Sequence, residues 1–125
     1  MSKPCVLIVE DDIDLRYLYA YVLFTGFEVR TAQNGADAII EVLSHKPDVI
    51  ITDINLPLLD GIEFIQTVKR DMDCAKVPIL VVSGASLETL AQASDAGAAK
   101  VIAKPVDPNS LLEELLQMLP EISSH

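Results

Sequence analysis

The chain has 125 residues, half of them hydrophobic, which suits one ordinary domain with its own apolar core. Its formal net charge is −10, and its nine basic residues are scattered, so we expect no direct binding to nucleic acid. No apolar run approaches the roughly 20 residues that cross a bilayer, so we expect no membrane span. The excess of acidic residues excludes few other functional classes of protein, because acids on a surface often serve solubility alone.

The amino-terminal segment and the cysteines indicate a cytoplasmic protein. The sequence MSKPCVLIVEDD runs directly into a strand-like segment without a small-residue cleavage site, so we expect no signal peptide. Cys5 and Cys74 are the only cysteines, and we expect both to remain free thiols. Two free thiols suit a reducing compartment.

Strand-like and helix-like segments alternate along the chain. The predicted strands are CVLIV (5–9), FEVRT (27–31), DVIIT (48–52), PILVVSG (78–84) and AKVIAKP (99–105). Four of them are continuous apolar runs, whereas FEVRT alternates as a strand nearer a sheet edge does. The predicted helices that follow them are DLRYLYAYVLFTG (14–26), NGADAIIEVLSHK (34–46), GIEFIQTVKRD (61–71), SLETLAQASDAG (86–97) and DPNSLLEELLQML (107–119).

Certain residues are predicted to set the helix ends and the buried helix faces. Asn34 and Asp107 are expected as N-caps, with Pro108 in the first turn of the last helix. Gly26 and Gly97 are expected to end the first and fourth helices. The residues expected to face the core on the first three helices are Leu15, Leu18, Tyr19, Val22 and Leu23, then Ala36, Ile39, Ile40 and Leu43, then Ile62, Ile65 and Val68.

Five strand–helix units with continuous apolar strands predict an α/β protein whose parallel sheet is covered by helices on both faces. Right-handed crossovers leave few ways to wind such a sheet. We find no internal sequence repeat and no linker, so we expect residues 1–125 to form a single domain with a core from about 4 to 119. The tail PEISSH is expected to be frayed.

Carboxylates follow two of the predicted strands, where a parallel α/β sheet binds its ligands. Glu10, Asp11 and Asp12 follow the first strand, and Asp53 follows the third. If these strands are neighbours, the acids converge, and two unit charges about 4 Å apart repel by about 4 kcal/mol at an effective dielectric near 20. Either one group is protonated or a cation lies among them. An all-oxygen ligand set favours Mg²⁺, Mn²⁺ or Ca²⁺ over zinc.

A hydroxyl and an amine follow the remaining two buried strands. Ser83 ends the fourth predicted strand, and Lys104 ends the fifth. Each strand-end residue also has an ordinary structural role open to it. Glu10, Asp11 and Asp12 can simply be acids at a helix N-terminus, and we prefer this interpretation for Asp12. Asp53 and Ser83 can each stabilise a turn, and Lys104 can be a solvated strand end. The four strand ends together favour a functional site over these separate roles.

The whole chain resembles the receiver domain of bacterial two-component response regulators. The resemblance rests on four segments in matching positions, VLIVEDD, IITDINLPLLDG, ILVVSG and VIAKP. It implies a CheY-like, flavodoxin-like (βα)5 doubly wound sandwich with strand order 2-1-3-4-5. The strand order comes from the resemblance and not from the hydrophobic pattern, and it is the order that the flavodoxin-like class has in general.

The resemblance implies a role for each acid of the site. Asp53 matches the phosphoacceptor, a carboxylate nucleophile that becomes an aspartyl phosphate. Glu10 and Asp11 match the acidic pair that binds Mg²⁺, with Mn²⁺ as a possible substitute. Asp53 and the backbone carbonyl of Asn55 would complete the metal ligands.

The resemblance also implies roles around the phosphoryl group. Lys104 and Ser83 match the lysine and the hydroxyl that bind phosphoryl oxygens during switching. Pro105 would follow a cis peptide bond, and Gly61 would close the loop after the third strand. Val101 stands where many receivers carry Tyr or Phe, so we expect the aromatic half of the switch to be weakened.

The implied function is that of a phosphoacceptor domain in a two-component system or phosphorelay. A sensor histidine kinase or a histidine phosphotransfer protein would donate the phosphoryl group, and the face formed by the fourth helix, fifth strand and fifth helix would regulate a downstream protein. We expect a monomer or a phosphorylation-dependent dimer, and no output domain in this chain. Beyond self-phosphorylation and self-dephosphorylation we expect no enzyme activity.

Three alternatives stay open at the level of the sequence. A receiver that is never phosphorylated could serve only as a protein-docking module. A phosphohydrolase of the haloacid dehalogenase type also places an Asp after a strand, but it needs a second acid where this chain has Asn55. A flavin binder of the flavodoxin type would need a Ser/Thr- and Gly-rich phosphate loop after the first strand.

Overall fold

A computed structural model of the chain describes residues 3–118. The strands are β1 (Cys5–Val9), β2 (Glu28–Ala32), β3 (Val49–Thr52), β4 (Ile79–Ser83) and β5 (Lys100–Ala103). The helices are α1 (Ile13–Leu23), α2 (Gly35–Ser44), α3 (Gly61–Arg70), α4 (Leu87–Ala96) and α5 (Pro108–Gln117). Every predicted strand and helix is confirmed, with some shift at the ends. Residue 119, where the core was expected to end, and the tail predicted to fray lie outside the described residues.

The strands form one parallel sheet in the order β2-β1-β3-β4-β5, which confirms the predicted fold class and strand order. β3 and β4 are buried at every residue, as their continuous apolar sequences require. The register pairs Val9 with Ala32 on one side and with Thr52 on the other. The carboxyl ends of β1 and β3 therefore lie side by side at one edge of the sheet, and the residues that follow them are close together.

Two apolar clusters hold the layers together, one on each face of the sheet. Phe64 and Val68 of α3 belong to the cluster that also takes in α2 and α4. Tyr19 of α1 and Leu111 and Leu115 of α5 belong to the other cluster. Each fully buried large apolar side chain contributes roughly 1.5–3 kcal/mol, so both faces stabilise the sheet whose edge carries the site. Among residues 3–118, no helix has the length and apolar character that crossing a membrane requires.

The buried face of α2 differs from the predicted one. Ala38 and Val42 are buried. Of the predicted residues, Ala36 and Ile39 are half-buried and Ile39 packs against the core, whereas Ile40 and Leu43 are 62% and 66% exposed. Gly35 explains the rotation of the helix, because a Cβ there would lie 1.9 Å from a backbone carbonyl oxygen of the loop before α3. This close approach turns the residues three and seven positions further on toward the core.

Two details of α1 also differ from prediction. Leu18 is 42% exposed, while Tyr19 and Leu23 are the buried residues of this helix. Gly26 does not end α1, which stops at Leu23. Gly97 does end α4, as predicted, and its φ of 123° is a conformation that glycine adopts readily.

The other predicted helix ends are confirmed in position. Asn34 caps α2, where its side chain accepts a hydrogen bond from the backbone N–H of Asp37. Asp107 occupies the N-cap position of α5 without a side-chain hydrogen bond there, and Pro108 is the first helical residue. Proline suits this place because its missing N–H would have had no partner within the helix.

Both cysteines are free thiols. Burial raises the pKa of Cys5 and of Cys74 above the ordinary value, and nearby acids add to the effect. The neutral thiol is therefore favoured at both positions, which makes these residues poor nucleophiles.

Candidate functional site

Asp53 lies at the carboxyl end of β3, against the end of β1. Its backbone N–H donates to the carbonyl oxygen of Val9 at 3.1 Å, which joins the two strand ends. Its Oδ1 accepts hydrogen bonds from the backbone N–H groups of Ile54 at 2.6 Å and Asn55 at 3.2 Å. The residue is 6% exposed. These bonds fix the plane of a nearly buried carboxylate.

Glu10 and Asp11 follow β1 and form an acidic cluster with Asp53. One carboxylate oxygen from each of the three residues lies within 4.8 Å of the other two. Glu10 is 2% exposed, whereas Asp11 is exposed. Glu10 Oε2 also accepts a hydrogen bond from the backbone N–H of Asp12 at 3.2 Å. The structure thus brings together the acids that the sequence assigned to the metal.

The acidic cluster fits a small divalent cation. Its ligand atoms are all oxygen, which is the chemistry that Mg²⁺ and Mn²⁺ favour. Bonds of about 2.1 Å in octahedral geometry place ligand oxygens about 3–4 Å apart. The observed oxygens, all within 4.8 Å of one another, are near that spacing. A small adjustment of the exposed Asp11 would close the remaining gap.

Lys104 lies in the loop after β5 and pairs with two of the three acids. Its Nζ is 2.6 Å from Asp53 Oδ2 and 2.8 Å from Glu10 Oε1. Burial lowers the pKa of Lys104, but the hydrogen bonds to Asp53 and Glu10 outweigh burial and raise that pKa above its ordinary value. Burial also raises the pKa of Glu10, which Lys104 partly opposes. One ammonium among three carboxylates leaves two negative charges, which match a divalent cation.

Ser83 is the last residue of β4, and Lys104 directly follows β5, the neighbouring strand. Ser83 is fully buried, and its Oγ accepts a hydrogen bond from the backbone N–H of Ala85 at 3.3 Å. The backbone N–H of Lys104 donates to the Ser83 carbonyl oxygen at 2.9 Å. The peptide bond between Lys104 and Pro105 is cis, as the sequence led us to expect. Val101 of β5 pairs with Val81 of the neighbouring strand β4, and it packs against the apolar cluster that α2, α3 and α4 form on one face of the sheet.

Gly61 lets the loop after β3 pack tightly against the backbone of Asp53 and Ile54. Its N–H donates to the Ile54 carbonyl oxygen at 2.8 Å. A Cβ at this position would lie 2.2 Å from the Asp53 carbonyl oxygen and 2.6 Å from Ile54 Cα. Only glycine allows α3 to begin this close to Asp53.

Asp12 and Arg16 complete the surroundings of the acidic cluster. Asp12 caps α1, where its Oδ1 accepts hydrogen bonds from the N–H groups of Asp14 and Leu15 at 2.9 and 3.1 Å. This confirms the helix role preferred from the sequence. Arg16 was not predicted from the sequence, and its Nη1 donates to the Glu10 carbonyl oxygen at 2.8 Å. A basic residue one turn into the helix that follows an acidic strand end is the signal that could have found it.

Comparison with known proteins identifies the family. The model of the response regulator receiver domain family matches residues 6–116. This match covers most of the chain, so the chain belongs to the receiver domain family of two-component systems. Receiver domains are signalling modules. The methylesterase/glutaminase among the relatives is much longer than this chain, which covers 30% of it.

Curated relatives agree with the family model. The chain is 39% identical over 107 residues to the transcriptional regulatory protein PrrA of Mycobacterium tuberculosis, covering 84% of this chain and 45% of that protein. It is 38% identical over 107 residues to protein-glutamate methylesterase/protein-glutamine glutaminase 1 of Syntrophus aciditrophicus, covering 80% of this chain and 30% of that protein. The chain therefore spans less than half the length of these relatives.

Solved structures agree with the fold. A CheY-like response regulator receiver domain protein from Methanospirillum hungatei is similar with a TM-score of 0.90 and 30% identity, covering 98% of each chain. The chemotaxis response regulator CheY4 of Vibrio cholerae is similar with a TM-score of 0.87 and 32% identity, covering 93% of this chain and 98% of that one. These similarities confirm the receiver class and the flavodoxin-like fold.

Proposed function

We propose that Asp53 accepts a phosphoryl group from a sensor histidine kinase or a histidine phosphotransfer protein. The observation that supports this most is the convergence at one carboxylate of two backbone N–H donors, two further acids and one ammonium. A purely structural aspartate at a buried strand end needs no second and third acid, because their mutual repulsion is unfavourable.

The reaction requires Asp53 to act as a nucleophile. A carboxylate oxygen of Asp53 attacks the phosphorus of the donor phosphohistidine, and a new O–P bond forms as the N–P bond breaks. The imidazole leaves with the electron pair of the broken bond and takes up a proton. The hydrogen bonds from Ile54 and Asn55 hold the carboxylate plane before the donor arrives, which lowers the entropic barrier to attack.

Charge on the transferred group must be balanced by the residues around Asp53. Glu10, Asp11, Asp53 and the Asn55 carbonyl oxygen would hold Mg²⁺ or Mn²⁺, which when bound neutralises negative charge on the phosphoryl oxygens. Lys104 is already placed 2.6 Å from Asp53 and can donate to a phosphoryl oxygen instead.

Switching would follow from the new charge of roughly −1.5 to −2 that the phosphoryl group adds. Lys104 and Ser83 would be drawn toward it together with the loops that follow β4 and β5, and the two residues are already joined by a backbone hydrogen bond. This shifts the population of arrangements of the face that α4, β5 and α5 form. Because Val101 has no ring to rotate, we propose that these loops carry the signal to a downstream protein partner. We place this action in the cytoplasm, in a monomer or a phosphorylation-dependent dimer.

Acetyl phosphate with Mg²⁺ tests the proposal by intact mass. We expect the protein to gain the mass of one phosphoryl group. Asp53→Asn should lose this gain because an amide is not a carboxylate nucleophile. Asp12→Asn is the matched control, since asparagine caps helices as well as aspartate does, and it should keep the gain. An equal gain in Asp53→Asn, or none in the wild type, would contradict the proposal; the latter would favour the docking module.

A further inference from the structure

Arg16 of α1 reaches back to the loop that carries the acidic cluster. Its Nη1 donates to the carbonyl oxygen of Glu10 at 2.8 Å in a partly buried hydrogen bond. This carbonyl belongs to the peptide plane between Glu10 and Asp11. Arg16 therefore holds the backbone immediately before Asp11, which is the exposed member of the cluster.

The other polar groups of Glu10 have partners on different elements. Its N–H donates to the Ala32 carbonyl oxygen at 3.1 Å, which ties it to the end of β2. Its Oε1 and Oε2 accept hydrogen bonds from Lys104 Nζ and the Asp12 N–H at 2.8 and 3.2 Å. Arg16 supplies the partner of the remaining polar atom, the carbonyl oxygen, and so completes the fixation of Glu10.

Arg16 and Lys104 act on the cluster in different ways. Lys104 binds carboxylate oxygens of Glu10 and Asp53, atoms that a metal ion would also use. Arg16 binds a backbone oxygen and leaves the carboxylates free. Its guanidinium still places a positive charge near the site, and that charge alone would repel a cation.

We propose that Arg16 is a positioning residue for the divalent cation, because it sets the peptide plane that aims Asp11 at Glu10 and Asp53. The inference rests on the proposed cation site. It requires the positioning effect of the hydrogen bond to exceed the repulsion between the guanidinium and the metal. These two effects change Mg²⁺ affinity in opposite directions, so the sign of the change on removal of the guanidinium shows which effect is larger.

Titration calorimetry with Mg²⁺ tests the proposal on the intact chain. Arg16→Met keeps an unbranched apolar stem but is shorter and lacks the guanidinium, and Arg16 borders an open cleft of about 290 Å³, so the substitution introduces no clash. We expect the dissociation constant for Mg²⁺ to rise about tenfold, as it does when partners that orient metal ligands are lost. Arg16→Lys keeps the charge and one donor and should show a smaller rise.

Arg70→Met is the matched charge control. Arg70 is exposed at the last residue of α3, roughly 14 Å along the helix from the carboxyl edge of the sheet. This variant should bind Mg²⁺ as the wild type does. Unchanged or tighter binding by Arg16→Met would overturn the proposal, even if its melting temperature without Mg²⁺ fell. If Arg16→Met does not fold, Arg16→Lys with wild-type affinity would overturn it. Absence of binding to the wild type would instead overturn the cation site itself.

Discussion

Lys104 holds the two buried carboxylates of Glu10 and Asp53 through hydrogen bonds of 2.8 and 2.6 Å. Lys104→Met should therefore lower the free energy of unfolding in Mg²⁺-free buffer by about 1–3 kcal/mol, because two carboxylates lose a donor. The same variant should bind Mg²⁺ more tightly, because the ammonium no longer occupies Asp53 Oδ2 and Glu10 Oε1. Urea denaturation with and without Mg²⁺ measures both effects.

Lys100→Met is the control for this prediction. Lys100 pairs with Glu114 on the surface, and such pairs contribute at most about 1 kcal/mol. We expect a small loss of stability and an unchanged response to Mg²⁺. Weaker Mg²⁺ binding by Lys104→Met would contradict the view that the lysine competes with the cation.

Individual contacts were the least predictable part of the site. The residue types and their strand ends indicated Asp53, Glu10, Asp11 and Lys104 as neighbours. The pairing of one ammonium with both buried acids depends on side-chain geometry that spacing along the chain does not carry. Arg16 was missed because its partner is a backbone oxygen that any residue could supply, so its position one turn after an acidic strand end was the one signal for it.

At the scale of elements, the N-terminus of α3 contacts the backbone of Asp53, directly after β3, because the first residue of α3 is Gly61. Gly61→Ala would place a Cβ 2.2 Å from the Asp53 carbonyl oxygen, so the backbone must move. We expect a loss of about 1–3 kcal/mol in the free energy of unfolding, as for other overpacked positions, together with weaker Mg²⁺ binding. Chemical denaturation and Mg²⁺ titration measure these two changes.

Gly26→Ala provides the comparison, because a Cβ there meets nothing within 4 Å. Its φ is not positive, so alanine is tolerated and stability should change by less than about 1 kcal/mol. Equal effects of the two substitutions would show that the contact of Gly61 with the backbone of Asp53 is unimportant.

Helix faces show why hydrophobic periodicity was an incomplete guide. In α2 the apolar residues Ile39, Ile40, Val42 and Leu43 cover more than one face, so the pattern does not choose between them. The contact of Gly35 with a neighbouring loop makes the choice, and it leaves Ile40 and Leu43 exposed. The information lies in a tertiary contact rather than in the helix itself.

For the whole molecule, Mg²⁺ should stabilise the folded state because only the folded chain brings the acids together. At 100 times the dissociation constant the gain is about 2.7 kcal/mol, which corresponds to a rise of roughly 10 °C in melting temperature. Asp11→Ala should remove most of this rise with little change in Mg²⁺-free stability, since its side chain is exposed. Thermal unfolding by circular dichroism measures the shift.

Asp12→Ala is the neighbouring control. Asp12 caps α1, so this variant should lose about 1 kcal/mol of stability and keep the rise with Mg²⁺. A wild type that shows no rise, or an Asp11→Ala variant that keeps it, would contradict the assignment of the metal ligands.

The global fold was the most predictable level. Continuous apolar strands alternating with helices require a parallel sheet covered on both faces, and the structure has one. The order of the strands came from the resemblance of four motifs, because right-handed winding alone allows several orders. Once β1 and β3 are neighbours, Glu10 and Asp53 must meet at one edge, so the site follows from the topology.

A crystal structure with Mg²⁺ and beryllofluoride, a mimic of the phosphoryl group, tests the central claim most directly. We predict beryllofluoride on a carboxylate oxygen of Asp53, the metal held by Glu10, Asp11, Asp53 and the Asn55 carbonyl oxygen, and Lys104 donating to a fluorine. A structure with Asp53 unmodified under saturating conditions, and with Glu10 and Asp11 turned away from it, would contradict the account.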